Sequence, residues 1–307
     1  MGTQKISRVG IIGAGTMGCR VSFSCVISGK ETRLFDISKE AREKAPQAIR
    51  GLIQEWETGG RLPGGTVEKA MALLSVSPSL EACVSDVDLA LEAVSEKVEL
   101  KRRVFADIDR YVAPHTIIGS NTSSIPGSML ADATKRPDKV FNMNLSTPND
   151  RKCEIMGNPL TAPSTIDAVL TFVREIGLVP IRVKREIMGY IENRVWRAVK
   201  KEVFHLIAGG YATPDDIDRG WILDWHTPLG PCGLIDQCGV DVIYDIEMMY
   251  YKTTGDPSDK PPDFLREMVE QGKLGIKSGE GFYKYPNPRY KQPGWLEGLL
   301  DVAQTKE

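Results

Sequence analysis

Histidine is the scarcest ionisable residue in this chain, with three in 307 residues. That scarcity argues against a zinc site, and no metal ligand set is expected. The six cysteines (Cys19, Cys25, Cys83, Cys153, Cys232, Cys238) form no CxxC pair. They read as reduced thiols of a cytoplasmic protein, not as a disulfide framework. No apolar run approaches the roughly 18 residues of a membrane span. The first apolar stretch, residues 9–12, is too short for the core of a signal peptide and runs straight into glycines. Charge of one sign is also missing. Lysine and arginine number 39 against 41 acids, a formal net charge of −2, and no long basic run suggests a nucleic-acid groove.

What is present is an ordinary globular balance, 41% hydrophobic and 26% charged, with enough length for two domains. Short β-branched runs at 8–12, 32–35, 89–93, 116–119, 140–143, 154–156 and 180–183 read as strands. Amphipathic stretches at 16–28, 39–56, 98–111 and 164–176 separate them as helices. This alternation predicts an α/β fold, a Rossmann-type doubly wound sheet over residues 1–185. The glycine- and proline-rich "ETGGRLPGGT" at 57–66 predicts a hairpin of helices leaving the sheet. Beyond residue 186 the strand signal ends, and residues 186–307 are expected to form an all-helical domain. Its helices are 192–207, one opening at Thr213 with Pro214 and two acids behind it, and 233–250. The apolar faces of so small a bundle need further cover, which points to a homodimer.

The stretch "VGIIGAGTMG" carries Gly13, Gly15 and Gly18 as GxGxxG, with Thr16 and Met17 inside it. It follows one predicted strand, opens a helix, and is followed by a second strand ending in Asp36. This is the context a dinucleotide fingerprint requires. Gly13 permits the tight turn, Gly15 the approach of a pyrophosphate, and Gly18 close helix–strand packing. Asp36 accepts hydrogen bonds from ribose hydroxyls and opposes a 2′-phosphate, so NAD is expected over NADP. Ligands bind beyond the carboxyl ends of strands in open α/β sheets. Glu96, Lys101, Asn121 and Ser123 are therefore placed to face the cofactor, although Ser123 and Ser124 also suit an ordinary helix cap.

Taken together with "SNTSS" at 120–124, the EAVxExxxLK-like segment at 92–101, "GYIENR" at 189–194, "PLGPCGLID" at 228–236 and "GIKSGEGFYKY" at 275–285, the chain resembles the 3-hydroxyacyl-CoA dehydrogenase family. The resemblance runs from Val9 to about Tyr285. It implies an NAD-binding Rossmann domain, a helical domain that dimerises, and a substrate cleft. It also implies transfer of hydride from C3 of a hydroxyacyl substrate to NAD. By motif match the serine of the site is Ser123, the asparagine Asn193 and the glutamate Glu154, while Glu96, Lys101 and Lys277 match positions of cofactor contact.

One position departs. The family's catalytic histidine lies in a GxHFxNP segment, which here reads "NMNLSTP", residues 142–148, with Asn144 at the histidine position. An amide has no basicity near neutral pH, and loss of a positioned base removes about 10²–10⁴-fold of rate. The segment from Pro148 to Glu154 is also about two residues shorter than in the family pattern. His226, Glu154 acting through water, or a substrate carrying its own acidic group could take the proton. A second departure concerns coenzyme A. Positions where the family binds it fall near Leu52 and Gly59, and only Arg61 offers a nearby cation, although phosphates usually want Lys or Arg. The expected substrate is a small hydroxy or oxo acid or an acyl-CoA. The alternative reading is a non-redox lyase, isomerase or pseudoenzyme on the same fold.

Overall fold

The computed structural model describes residues 4–145 and 151–302. The chain divides into two compact units, residues 1–192 and 193–307.

The first unit is built on β1 (Arg8–Ile12), α1 (Thr16–Ile27), β2 (Glu31–Phe35), α2 (Lys39–Thr58), α3 (Thr66–Met71), β3 (Leu74–Val76), α4 (Leu80–Val84), β4 (Leu89–Glu92), α5 (Val98–Tyr111), β5 (Ile117–Asn121), α6 (Ser128–Ala131), β6 (Val140–Asn144), β7 (Lys152–Gly157), α7 (Pro163–Glu175) and β8 (Val179–Val183). The eight strands form one sheet in the order β3-β2-β1-β4-β5-β6-β7-β8. Every pairing is parallel except β6 with β7. Consecutive strand residues serve opposite faces. Ile11, Leu91 and Ile117 join one core with α1, α2 and α7, while Ile12, Ala90 and Ile118 join another with Phe105 and Ile108 of α5. Both faces are covered, as a parallel sheet requires. From β1 the chain winds outward to β3 in one direction and from β4 to β6 in the other. The carboxyl ends of β1 and β4 therefore flank the switch point where such sheets bind ligands.

The hairpin expected at 57–66 is the α2–α3 connection. Glu57 closes it by accepting from the backbone N–H groups of Gly65 and Val67. Strand β3 has no counterpart in the sequence reading: it is three residues long, lies at the sheet edge and is largely exposed.

The second unit continues helix α8 (Glu192–Ala208) into α9 (Pro214–Trp225), α10 (Pro231–Cys238), α11 (Val240–Thr254), α12 (Asp263–Glu270) and α13 (Leu299–Val302). Thr213 caps α9 as expected, in a reciprocal capping box with Asp216. The single helix expected over 233–250 is in fact two. Gly239 sits at φ +104° and ends α10, a conformation that L side chains resist. The core of this unit gathers Val203, Phe204, Ile235, Ile243 and Leu265.

Candidate active site

The glycine turn after β1 is held tightly from below and is open above. The N–H of Gly13 donates to Phe35 O of β2 at 2.7 Å. A Cβ on Gly13, which has φ +112°, would lie 2.5 Å from Ala93 O, and one on Gly18 would lie 1.8 Å from Gly13 O. At Gly15 a Cβ would meet nothing within 4 Å. That opening faces the start of α1, whose N-cap is Gly15 and whose first N–H groups have no side-chain cap. Thr16 is exposed and Met17 half-buried beside it. Asp36, at the tip of β2, is fixed by the N–H groups of Ala14 (2.7 Å) and Ser38 (2.8 Å), one on each carboxylate oxygen. Unscreened helix N–H donors beside an open glycine suit a pyrophosphate, and a carboxylate at the end of the second strand suits ribose hydroxyls. These residues fit NAD, which supplies a hydride acceptor when bound.

A second cluster lies at the ends of β4 and β5. Glu92 and Lys101 are both fully buried, 2.8 Å apart. Glu92 also accepts from the Ser120 hydroxyl at 2.6 Å and the Val94 N–H at 2.6 Å. Burial raises the Glu92 pKa against the opposing pull of Lys101 and Ser120. The Lys101 ammonium also reaches Glu96 at 3.3 Å and the carbonyls of Val94 and Asn121. Lys101 is therefore enclosed, with its charge spent on two acids. Glu96 in turn clamps the "SNTSS" turn, accepting from the Thr122 and Ser124 hydroxyls and from the N–H groups of Ser123 and Ser124. Burial alone would raise its pKa, but Thr122, Lys101 and Ser124 outweigh burial and hold it below the usual range. Tyr190, held at φ +54°, supports this turn from beneath by donating to Thr122 O at 2.8 Å. The exposed Ser123 hydroxyl has no partner among the described residues.

The third element is the antiparallel pair β6–β7, whose register sets Asn144 opposite Glu154. Residues 146–150 lie outside the described residues, and with them Pro148, Asn149 and Asp150 of the shortened segment. Asn144 and Glu154 are 3% and 1% exposed. Asn144 Nδ2 donates to Glu154 Oε2 at 3.1 Å. Glu154 Oε1 accepts from the N–H groups of Ile191 (2.9 Å) and Glu192 (3.1 Å). An ionised carboxylate can only accept, so the amide must turn its NH₂ toward Glu154 and its carbonyl Oδ1 away. Oδ1 has no partner among the described residues and is not among the side-chain atoms sealed from solvent without one.

Other expected site residues are not brought to this cluster within the first unit. Asn193 is exposed and is the first residue of the second unit. Lys277 also belongs to the second unit, where its ammonium lies 2.6 Å from Asp241. His226 is the exposed C-cap of α9 at φ +54°. In the first unit, His115 precedes β5 and lies 3.6 Å from Asp88. Along α2 and α3, Arg50 is paired with Glu68, Lys44 with Glu40, and the Arg61 guanidinium lies over the Trp56 ring at 5.1 Å. Sequence reasoning did not single out Glu92, Thr122, Tyr190 or the N–H groups of Ile191 and Glu192. Glu92 had one readable signal, an acid ending an otherwise apolar strand.

Comparison with known proteins places this geometry. Residues 8–187 match the model of the 3-hydroxyacyl-CoA dehydrogenase NAD binding domain, and residues 189–285 match that of the C-terminal domain. A probable 3-hydroxybutyryl-CoA dehydrogenase of Bacillus subtilis is 30% identical over 284 residues, covering 92% of this chain and 98% of that protein. A 5-formyl-3-hydroxy-2-methylpyridine 4-carboxylate 5-dehydrogenase of Mesorhizobium japonicum is 30% identical, covering 91% of each. The crystal structure of an (S)-3-hydroxybutyryl-CoA dehydrogenase from Ralstonia eutropha superposes with a TM-score of 0.84 at 32% identity. It covers 92% of this chain and all of that one. Fold and site together define an NAD-dependent oxidoreductase acting on a CH–OH group. The chain belongs to the 3-hydroxyacyl-CoA dehydrogenase family.

Proposed function

We propose that the protein oxidises a 3-hydroxy acid or acyl substrate to the 3-oxo form, with a proton relay that lacks its own base. The carrying observation is the Asn144–Glu154 pair. Glu154 is committed to three N–H donors, and the residue between it and the substrate is an amide. Asn144 Oδ1 accepts a hydrogen bond from the substrate hydroxyl and holds it, but leaves the proton on oxygen. Ser123, with its hydroxyl presented by the clamp of Glu96, orients the reacting oxygen from the other side. Gly13, Gly15, Thr16, Met17, Gly18 and Asp36 hold the cofactor, Lys101 fixes the loop geometry through its two acids, and the family motifs assign Asn193 to the substrate and Lys277 to the cofactor. No helix of the described chain is long and apolar enough to cross a membrane, and the buried thiols suit a cytoplasmic setting. A homodimer is supported by the exposed apolar positions Val242, Ile246 and Met249 along α11.

The test is the pH–rate profile. Wild type is expected to lack an inflection near the ordinary histidine pKa of about 6.5, and Asn144→His to introduce one. A wild-type inflection near that value, lost in His226→Gln, would show that His226 supplies the base and would overturn this relay.

A further inference from the structure

The relay leaves one question of chemistry, namely where the hydroxyl proton goes. Four carboxylates at the strand ends of the first unit are already committed. Glu154 holds three N–H donors. Glu92 holds Lys101, Ser120 and Val94 N–H. Glu96 holds four donors and Lys101. Asp36 holds two backbone N–H groups. None of these is a vacant base, and Asn144 Oδ1 is an acceptor without basicity.

We infer that the acceptor is part of the substrate, and that the substrate class is an unesterified 3-hydroxycarboxylic acid. This rests on the dehydrogenase reading above. In a 3-hydroxycarboxylate the C3 hydroxyl and the C1 carboxylate close a six-membered hydrogen-bonded ring, so the base is intramolecular and pre-positioned. In a thioester the same position is a carbonyl with no useful basicity. The C3–H bond breaks with its electron pair going to NAD, and the O–H bond breaks with its proton going to a C1 carboxylate oxygen. The C3–O π bond forms, and the product is a 3-oxo acid protonated on C1 together with NADH. Ser123 holds the C3 oxygen, the hydroxyl proton turns from Asn144 Oδ1 to the C1 carboxylate as it leaves, and the pinned Glu154 keeps the amide in place. The pairing of α2 cations with neighbouring acids agrees with this class, since it leaves little charge there for the phosphates of coenzyme A.

The experiment uses the full chain with (S)-3-hydroxybutyrate, (S)-3-hydroxyhexanoate, their methyl esters and their CoA thioesters, followed by NADH absorbance. Titration calorimetry of the same compounds, with NADH replacing NAD so that nothing turns over, separates failure to react from failure to bind. Wild type is expected to oxidise a free acid at least about 100-fold faster than an ester or thioester that binds equally well, the scale of a lost or gained base. Asn144→His, which brings a base of its own, is expected to raise the ester and thioester rates by a similar factor and so to narrow their gap to the acids. Esters or thioesters oxidised by wild type as fast as the acids would overturn the substrate class while leaving the dehydrogenase intact. No NADH from any compound, in either protein, would overturn the dehydrogenase reading as well. Should the histidine variant not fold, the ester series in wild type decides alone.

Discussion

At the scale of the residue, the site depends on which side chains are already committed. Lys101 illustrates this. Its enclosed ammonium neutralises Glu92 and Glu96 at once, so removing it leaves a fully buried carboxylate without a counter-charge. Breaking one side of a buried pair typically costs about 3–5 kcal/mol. Lys101→Met is therefore expected to lower the denaturation midpoint sharply, and Glu92→Gln added to it to recover part of the loss. A variant of unchanged stability would place Lys101 outside the structural network. The sequence marked Lys101 and Glu96 as facing the cofactor because they follow a strand end. It could not show that Lys101 turns inward, because one helical turn after β4 decides that orientation. The sequence named Asn144 and Glu154 separately, by motif match, and only the antiparallel register of β6 and β7 sets them opposite each other. Residues 146–150, which join those strands, lie outside the described residues.

At the scale of the element, α10 depends on a neighbour for its start. Its N-cap is Gly230, which has no side chain to offer. The buried N–H groups of Cys232 and Gly233 donate instead to Asp218 of α9, at 2.7 and 2.9 Å, and the Tyr283 hydroxyl donates to the same carboxylate at 3.0 Å. A Cβ at Gly230 would lie about 2.4 Å from the Asp218 carboxyl carbon, so the glycine makes room for its own substitute cap. Each buried donor left unpaired costs about 1–3 kcal/mol. Asp218→Ala is expected to destabilise the second unit by roughly 3 kcal/mol or more, and Asp218→Asn by less, because one acceptor remains. Equilibrium unfolding followed by tryptophan fluorescence reads this, since Trp221 lies one turn from Asp218 on α9. Periodicity legibly marked most strands and the long helices of both units. It missed β3, too short to show a pattern, and the break at Gly239, because glycine within an apolar period carries no sign of its φ.

At the scale of the whole molecule, acid groups pull stability in two directions with pH. Burial raises the pKa of Asp218, Asp236 and Glu92. For these the folded state holds protons more tightly, so stability rises as pH falls from neutral toward their unfolded values of 3.8 and 4.5. Asp259 is shifted the other way, chiefly by Lys201 and then Arg197, well below its ordinary 3.8. Its contribution is present above 3.8 and is lost as pH falls below that value. Stability is expected to peak in mildly acidic solution and to drop beneath pH 4. Asp259→Asn should flatten the acid limb, and Asp218→Asn the limb on the neutral side. Denaturant midpoints across this range check both, and a profile that declines steadily from neutral pH would contradict the raised values.

The Asn144–Glu154 contact has a consequence for ancestry. Asparagine codons differ from histidine codons in the first base alone, and both side chains can point an N–H at the same glutamate. A single base change could therefore exchange a site with its own proton acceptor for one that borrows it, without disturbing the strand pair that holds it. Lineages with either residue lie one mutation apart, and substrate choice within such a family can shift without an intermediate that fails to fold.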